Sequence, residues 1–304
     1  VSHLDLVKEL RELTLAGMGD CRKALEEAGW DLQKAVDIIK AKGQNIVSTH
    51  TNKVAAEGRV RIITSADSRL ASMIEVNCQT DFTAKSKEFD AFVELASLEL
   101  HACADENIPF SGLGEGIESD RKALMAATKE NIVVRRWWVE QAAASEVKIF
   151  TYVHSNEQIG VLLTLQAPSI EASLSPEFEA LGQDLVLQIA AMSPLAVDSD
   201  HLDPNEVARQ KSIFETQLLE AKKPQASWEK IMAGKFSKWH SEVCLMDQES
   251  IILPKTSIKQ VIKNVSTKLG GEVVVVGFTR CQVGEGIEVK KEDFAKEVSA
   301  LSGV

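Results

Sequence analysis

The chain of 304 residues has no Cys-x-x-Cys pair. Its five cysteines, Cys21, Cys78, Cys103, Cys244 and Cys281, are odd in number and widely separated. That argues against a disulfide framework or a zinc ribbon, and for reduced thiols that mainly fill space in a cytoplasmic protein. Excess positive charge is also missing: the net charge is −11, so a nucleic-acid-binding body, which needs clustered Lys and Arg against phosphate, is disfavoured. No apolar run approaches the roughly 18 residues of a membrane span. Val1-Ser2-His3-Leu4-Asp5 does not read as a signal peptide. The six histidines lack metal-ligand spacing, and no Ser, His and acid stand in a supporting context. Gly284-Glu285-Gly286 is not followed by Gly-Lys-Ser/Thr and reads as a turn, not a phosphate loop. These absences weigh against an enzyme. They leave the expectation of no catalytic residue, no metal and no cofactor, in a protein that docks on another protein.

What is present is organised. A hydrophobic content of 44% is ample for a core, and the length allows two or three modest domains. Residues 1–43 read as a three-helix module. Leu6, Leu10 and Leu13 share one helical face, Cys21, Ala24, Leu25 and Ala28 a second, and Leu32, Ala35, Val36 and Ile39 a third. Asp20 and Asp31 stand at expected N-caps, Gly43 follows the last periodic residue, and Trp30 is expected to pack. Residues 44–58 are polar and aperiodic and read as a linker.

A repeat of element order follows. Strands at 59–63 and 71–76, helices at about 86–104 and 118–130, and a strand at 131–138 form one set. Strands at 147–154 and 159–165, helices at about 176–192 and 256–268, and a strand at 272–278 form the second. The expected fold class is α+β: a three-helix module, a duplicated core of antiparallel sheet plus helices, an inserted helical hairpin and a C-terminal helix. The boundaries are core subdomain 1 at 59–142, core subdomain 2 at 143–203 and 243–282, the hairpin at 204–242, and a C-terminal module at 283–304 with an amphipathic helix around Asp293–Val298. In the hairpin, Val207, Phe214, Leu218 and Ala221 are placed to face Trp228, Met232, Phe236 and Trp239.

The most informative string is Asn77-Cys78-Gln79-Thr80-Asp81-Phe82-Thr83-Ala84-Lys85. A buried strand stops at a polar corner where an acid and an aromatic stand side by side. Thr80 or Asp81 is placed to cap a helix running on through Phe89, Phe92, Val93 and Leu95-Ala96. On spacing alone Asp81 is a cap and Phe82 a core residue; alternatively Phe82, in the first turn, projects into a partner.

The whole string closely resembles the signature of the elongation factor Ts family, the guanine-nucleotide exchange factors of elongation factor Tu. Thr83 stands where that family usually has Val. Met18-Gly19-Asp20-Cys21-Arg22-Lys23 resembles the family's Met-Met-Asp-Cys-Lys-Lys, with Gly19 for the second Met and Arg22 for the first Lys. Tyr152-Val153-His154 with Ile159-Gly160, Glu130-Asn131-Ile132 with Arg135-Arg136, Ile251-Ile252 before Pro254, and Val283-Gly284-Glu285-Gly286-Ile287-Glu288 resemble further family strings. Thr128-Lys129 replaces the family's Ile-Gly, and Cys281 stands where Phe is usual.

The resemblance implies a translation factor that binds the GDP form of elongation factor Tu, passes through a nucleotide-free complex and lets GTP reload. It implies partner contacts at Thr80, Asp81, Phe82, Thr83, Met18, Arg22, His154, Ile251 and Ile252. It leaves open whether the factor forms a homodimer or a 2:2 complex. A lone His154 would ordinarily be a satisfied surface residue, and Ile251-Ile252 a short buried strand. Residues 4–42 also resemble a ubiquitin-associated module, so a protein-binding adaptor without exchange activity is the alternative.

Overall fold

The computed structural model describes residues 3–14, 18–39 and 54–287. Three helices come first: α1 (His3–Thr14), α2 (Met18–Glu27) and α3 (residues 32–39). Their small core is Val7, Leu10, Cys21, Ala24, Leu25 and Ala35, with Leu6, Leu32 and Val36 at its edge. Asp31 caps α3, accepting the Lys34 N–H at 3.1 Å. Asp20 is not a cap: the helix starts at Met18, which leaves Asp20 inside the first turn, where its negative charge is favourable beside the positive end of the helix dipole. Gly29 and Trp30 both take left-handed backbone conformations, φ +63° and +64°. This reversal lays the Trp30 ring flat on His3, centroids 3.5 Å apart. The expected helix end at Gly43, most of the linker and the helix around Asp293 lie outside the described residues.

The first sheet has the order β1 (Glu57–Thr64), β2 (Leu70–Cys78), β3 (Val133–Gln141), with β2 central and all pairs antiparallel. Between β2 and β3 run α4 (Asp81–Ala84), α5 (Lys87–Asp105) and α6 (Glu115–Thr128). The second sheet has the order β4 (Val147–Val153), β5 (Ile159–Gln166), β6 (Val274–Gln282). Between β5 and β6 run α7 (Ile170–Ser173), α8 (Pro176–Met192), α9 (Pro204–Glu220), α10 (Trp228–Val243) and α11 (Ile258–Lys268).

The expected continuous helix after Thr80 is two helices. Thr80 caps α4, and Ser86 then caps α5 by accepting the Phe89 N–H. The closing strands run further than expected: β3 reaches Gln141 and β6 reaches Gln282, because β2 and β5 offer partners along their whole length. The helix expected at 118–130 begins earlier, at Glu115, and ends at Thr128.

The two halves repeat in detail. β2 begins at Leu70 and β5 at Ile159, and the same offset of 89 residues relates the caps Thr80 and Ser169, the caps Ser86 and Ser175, and the buried Phe89 and Phe178. Each closing strand carries one bulge in the same place. Arg135 is skipped between the pairs Glu75–Arg136 and Val76–Val134, and Val276 between Thr164–Gly277 and Leu165–Val275.

α5 and α6 cover the first sheet through Phe89, Phe92, Val93, Ala96, Leu100 and Leu124. α8 and α11 cover the second through Phe178, Leu181, Leu185, Ile189, Ile258 and Ile262. The inner faces meet in a third cluster, Val60, Ala71, Met73, Ile149, Leu162 and Cys281. The stack is therefore helix, sheet, sheet, helix. Gly160 permits the close approach: a Cβ there would stand 2.5 Å from Val60 Cγ1 and 2.8 Å from Met73 Sδ.

The inserted pair α9 and α10 closes on Phe214, Trp239, Val207, Met232 and Phe236, with the Phe214 and Phe236 rings edge to face at 5.3 Å. Leu218 is buried as well. Two expected members differ. Ala221 is exposed past the end of α9, and Trp228 folds over the connecting turn, where its Nε1 donates to the Lys223 carbonyl at 3.0 Å.

Candidate functional site

β2 is buried along its length and delivers the chain to the surface at Cys78. There the backbone turns through Gln79 and Thr80 into the single turn α4. Thr83 and Ala84 of that turn are buried, whereas Phe82 is 83% exposed. The ring stands clear of the fold on a fixed turn, with its face open to a partner. Asp81 accepts from Lys85 Nζ at 2.7 Å, and this hydrogen bond and charge hold its carboxyl below the usual carboxylate range. The corner therefore carries an ionised acid beside a bare ring.

The turn is anchored at both ends. Glu130 Oε2 accepts the N–H groups of Gln79 and Thr80, at 3.0 and 3.1 Å. Glu130 Oε1 accepts the hydroxyls of Thr80 and Thr83, each at 2.7 Å. At the far end Arg59 Nε donates to the Ala84 carbonyl at 2.6 Å. Arg59 also pairs with Asp90 and with Glu157, and Arg61 pairs with Asp90, Glu94 and Glu157.

Glu157 belongs to the turn between β4 and β5, which it enters with φ +56°. Its carbonyl accepts the Val60 N–H at 2.7 Å, and its own N–H donates to the His154 carbonyl at 2.7 Å. The turn bearing His154 is thus fastened to the same β1 strand that braces α4. His154 itself is exposed, its Nδ1 2.8 Å from the Tyr152 hydroxyl.

Met18 and Arg22 are exposed on α2, with Arg22 paired to Glu26 along the helix. Lys129, next to Glu130, lies 3.8 Å from Asp20 of α2. A groove beside the corner is lined by Arg11 of α1 together with Phe82, Thr83, Ser86, Leu124 and Thr128. Ile251 and Ile252 sit on a separate loop of the second half. They do not form a buried strand: Ile251, Ile252 and Leu253 are all exposed in a bend. The bend is held by polar side chains. Gln188, buried in α8, donates to Gln248 Oε1 and to the Glu249 carbonyl and accepts the Ile251 N–H. Ser250 accepts the N–H groups of Ile252 and Leu253. Apolar side chains are presented outward because their backbone is satisfied inward.

Glu130 was visible in the sequence only as part of a string, and Arg59, Glu157 and Gln188 carried no local signal. Their partners are distant in sequence, so only the folded pairing reveals them. Gly284-Glu285-Gly286 is a turn in the structure. Gly284, at φ +74°, donates its N–H to the buried Glu75 carboxylate at 2.8 Å. Among the described residues no group of three His, Cys, Asp or Glu side chains is arranged to hold a metal ion, and no helix is long and apolar enough to cross a membrane.

Comparison with known proteins gives one consistent result. A family model described as elongation factor TS matches residues 79–285. Elongation factor Ts of Magnetococcus marinus is 35% identical over 302 residues, covering 97% of each chain. Elongation factor Ts of Symbiobacterium thermophilum is 36% identical over 301 residues, covering 98% of this chain and 97% of the relative. Elongation factor Ts of Clostridioides difficile is 36% identical over 300 residues, covering 97% of this chain and 96% of the relative.

Proposed function

Since this chain belongs to the elongation factor Ts family, the nucleotide exchange factors of elongation factor Tu, we propose that its exchange site is the corner Thr80-Asp81-Phe82-Thr83. The observation that carries the assignment is the 83% exposure of Phe82 on a turn whose other side chains are buried or paired. Phe82 inserts between helices of the partner's nucleotide domain. Burying the ring there is worth about 2–3 kcal/mol, available only in the complex. The ionised Asp81 and its neighbours disturb the groups that hold Mg²⁺ and the phosphate loop. The metal is the largest local charge in such a site, so displacing its supports loosens GDP. The coupling is reciprocal: if the factor weakens nucleotide binding, nucleotide must weaken factor binding by the same ratio. No cofactor of its own is needed.

Met18 and Arg22 on α2, His154 on the β4–β5 turn, and Ile251 and Ile252 on their bend supply further contacts, each exposed on a braced element. The factor acts in the cytoplasm, first on the GDP form and then in a nucleotide-free complex. An adaptor of the ubiquitin-associated type would use only α1–α3, whereas the similarity to exchange factors runs the length of the chain.

Stopped-flow release of a fluorescent GDP from elongation factor Tu tests this reading. Phe82→Ala is expected to slow factor-stimulated release by roughly 30-fold, the loss of about 2 kcal/mol, while leaving the fold intact. Unchanged release would sink the assignment.

A further inference from the structure

A single helical turn does not hold itself, because nucleation fixes several dihedrals for one hydrogen bond. α4 is only four residues long, and the ring of Phe82 has too little packing to aim it. Its direction must be set from outside the turn. At the entry to α4 one carboxylate does this. Glu130 accepts four hydrogen bonds, and all four come from the segment Gln79–Thr83.

The arrangement is chemically one-sided. Gln79 and Thr80 offer backbone N–H donors, so a carboxylate oxygen facing both must be an acceptor. The Thr80 hydroxyl spends its one proton on Glu130, which leaves its lone pairs for the Thr83 N–H at 3.2 Å. The cap that starts α4 is therefore oriented by Glu130. The Thr83 hydroxyl adds the fourth bond. The sheet does not require these contacts: β2 and β3 pair from Asn77 and Val133 onward by their own backbone.

We propose that Glu130 is a positioning residue for nucleotide exchange, and that the Thr83 hydroxyl reinforces it. The clamp sets the aim of Phe82 in the free factor, so the ordering cost is met before the partner arrives. The inference rests on Phe82 being the inserted group.

The test is a double-mutant cycle on stimulated GDP release, using the full chain. Glu130→Ala is expected to slow release about tenfold, as loss of charge-assisted hydrogen bonds implies. On a Phe82→Ala background the same change is expected to alter release by less than about twofold. Amide exchange of Gln79 and Thr80 should accelerate in the free Glu130→Ala factor. Thr83→Val, which removes one hydroxyl and keeps the shape, should show the same pattern at about two- to threefold and serves if Glu130→Ala does not fold. Equal slowing on both backgrounds would overturn the proposal, since it would make Glu130 a support of the fold and not of the ring's aim. No slowing by either variant would also overturn it. If Phe82→Ala alone leaves release unchanged, the exchange-site assignment has failed and this inference falls with it.

Discussion

Lys129 shows how much a single residue's conformation matters here. It closes α6 at φ +60°, a left-handed position that favours glycine, and the resembling family string has Gly there. A side chain in that region costs about 1 kcal/mol. Lys129→Gly is therefore expected to stabilise the protein by about 0.5–1 kcal/mol, seen as a higher urea midpoint with an unchanged slope. The lost approach to Asp20 joins two side chains that are mostly exposed and should subtract little. A midpoint that falls would mean the Lys129–Asp20 pair contributes more than the backbone strain costs. At this scale the sequence was partly legible. Thr80 as a cap, and Asp81 beside an aromatic, follow from residue types at a strand-to-helix corner. Glu130 as the anchor did not follow, because it lies 51 residues from Gln79 and reaches it only when β3 pairs with β2.

Elements were legible wherever their boundary had a local chemical mark. The start of α8 is marked by Ser175-Pro176, and the structure begins the helix there. The equivalent helix α5 starts at Lys87, close to the expected 86, but the four-residue turn α4 before it is too short to show a period, so the cap at Thr80 reads as opening the longer helix. The reach of β3 and β6 was hidden for another reason: a strand's length is set by its partner as well as by its own residues. The hairpin α9–α10 is an element of its own, with an internal core at Phe214, Trp239 and Phe236. Removing residues 205–240 with a short linker should weaken the complex with elongation factor Tu by about tenfold or more in Kd, leaving saturated GDP release little changed. Titration by calorimetry and release at saturating factor separate the two. Loss of release with affinity intact would show that the hairpin takes part in exchange itself.

Across the whole molecule the two sheets are joined by a buried charge as well as by apolar contacts. Glu75 of β2 is fully buried, pairs with Arg135 and Arg136 of β3, and accepts the Gly284 N–H just past β6. Burial alone would push its carboxyl up, but the Gly284 N–H, the Arg136 guanidinium and Asn77 outweigh it and hold it below the usual carboxylate range. A carboxyl depressed in the folded state contributes stability above its unfolded value, near pH 4, and loses that contribution as the pH falls through its folded value. The urea midpoint should fall between about pH 5 and pH 2, and Glu75→Gln should be less stable at neutral pH with a flatter acid limb. An acid limb of unchanged steepness in Glu75→Gln would assign the loss to other carboxylates.

The matched bulges at Arg135 and Val276 carry a historical meaning. Bulges persist within families, so two at the same place in two sheets of one chain point to a duplicated ancestral gene that already had the bulge. The first copy carries the aromatic corner Asp81-Phe82, whereas the second has Ile170-Glu171 at the corresponding positions and carries the long insertion between α8 and α11.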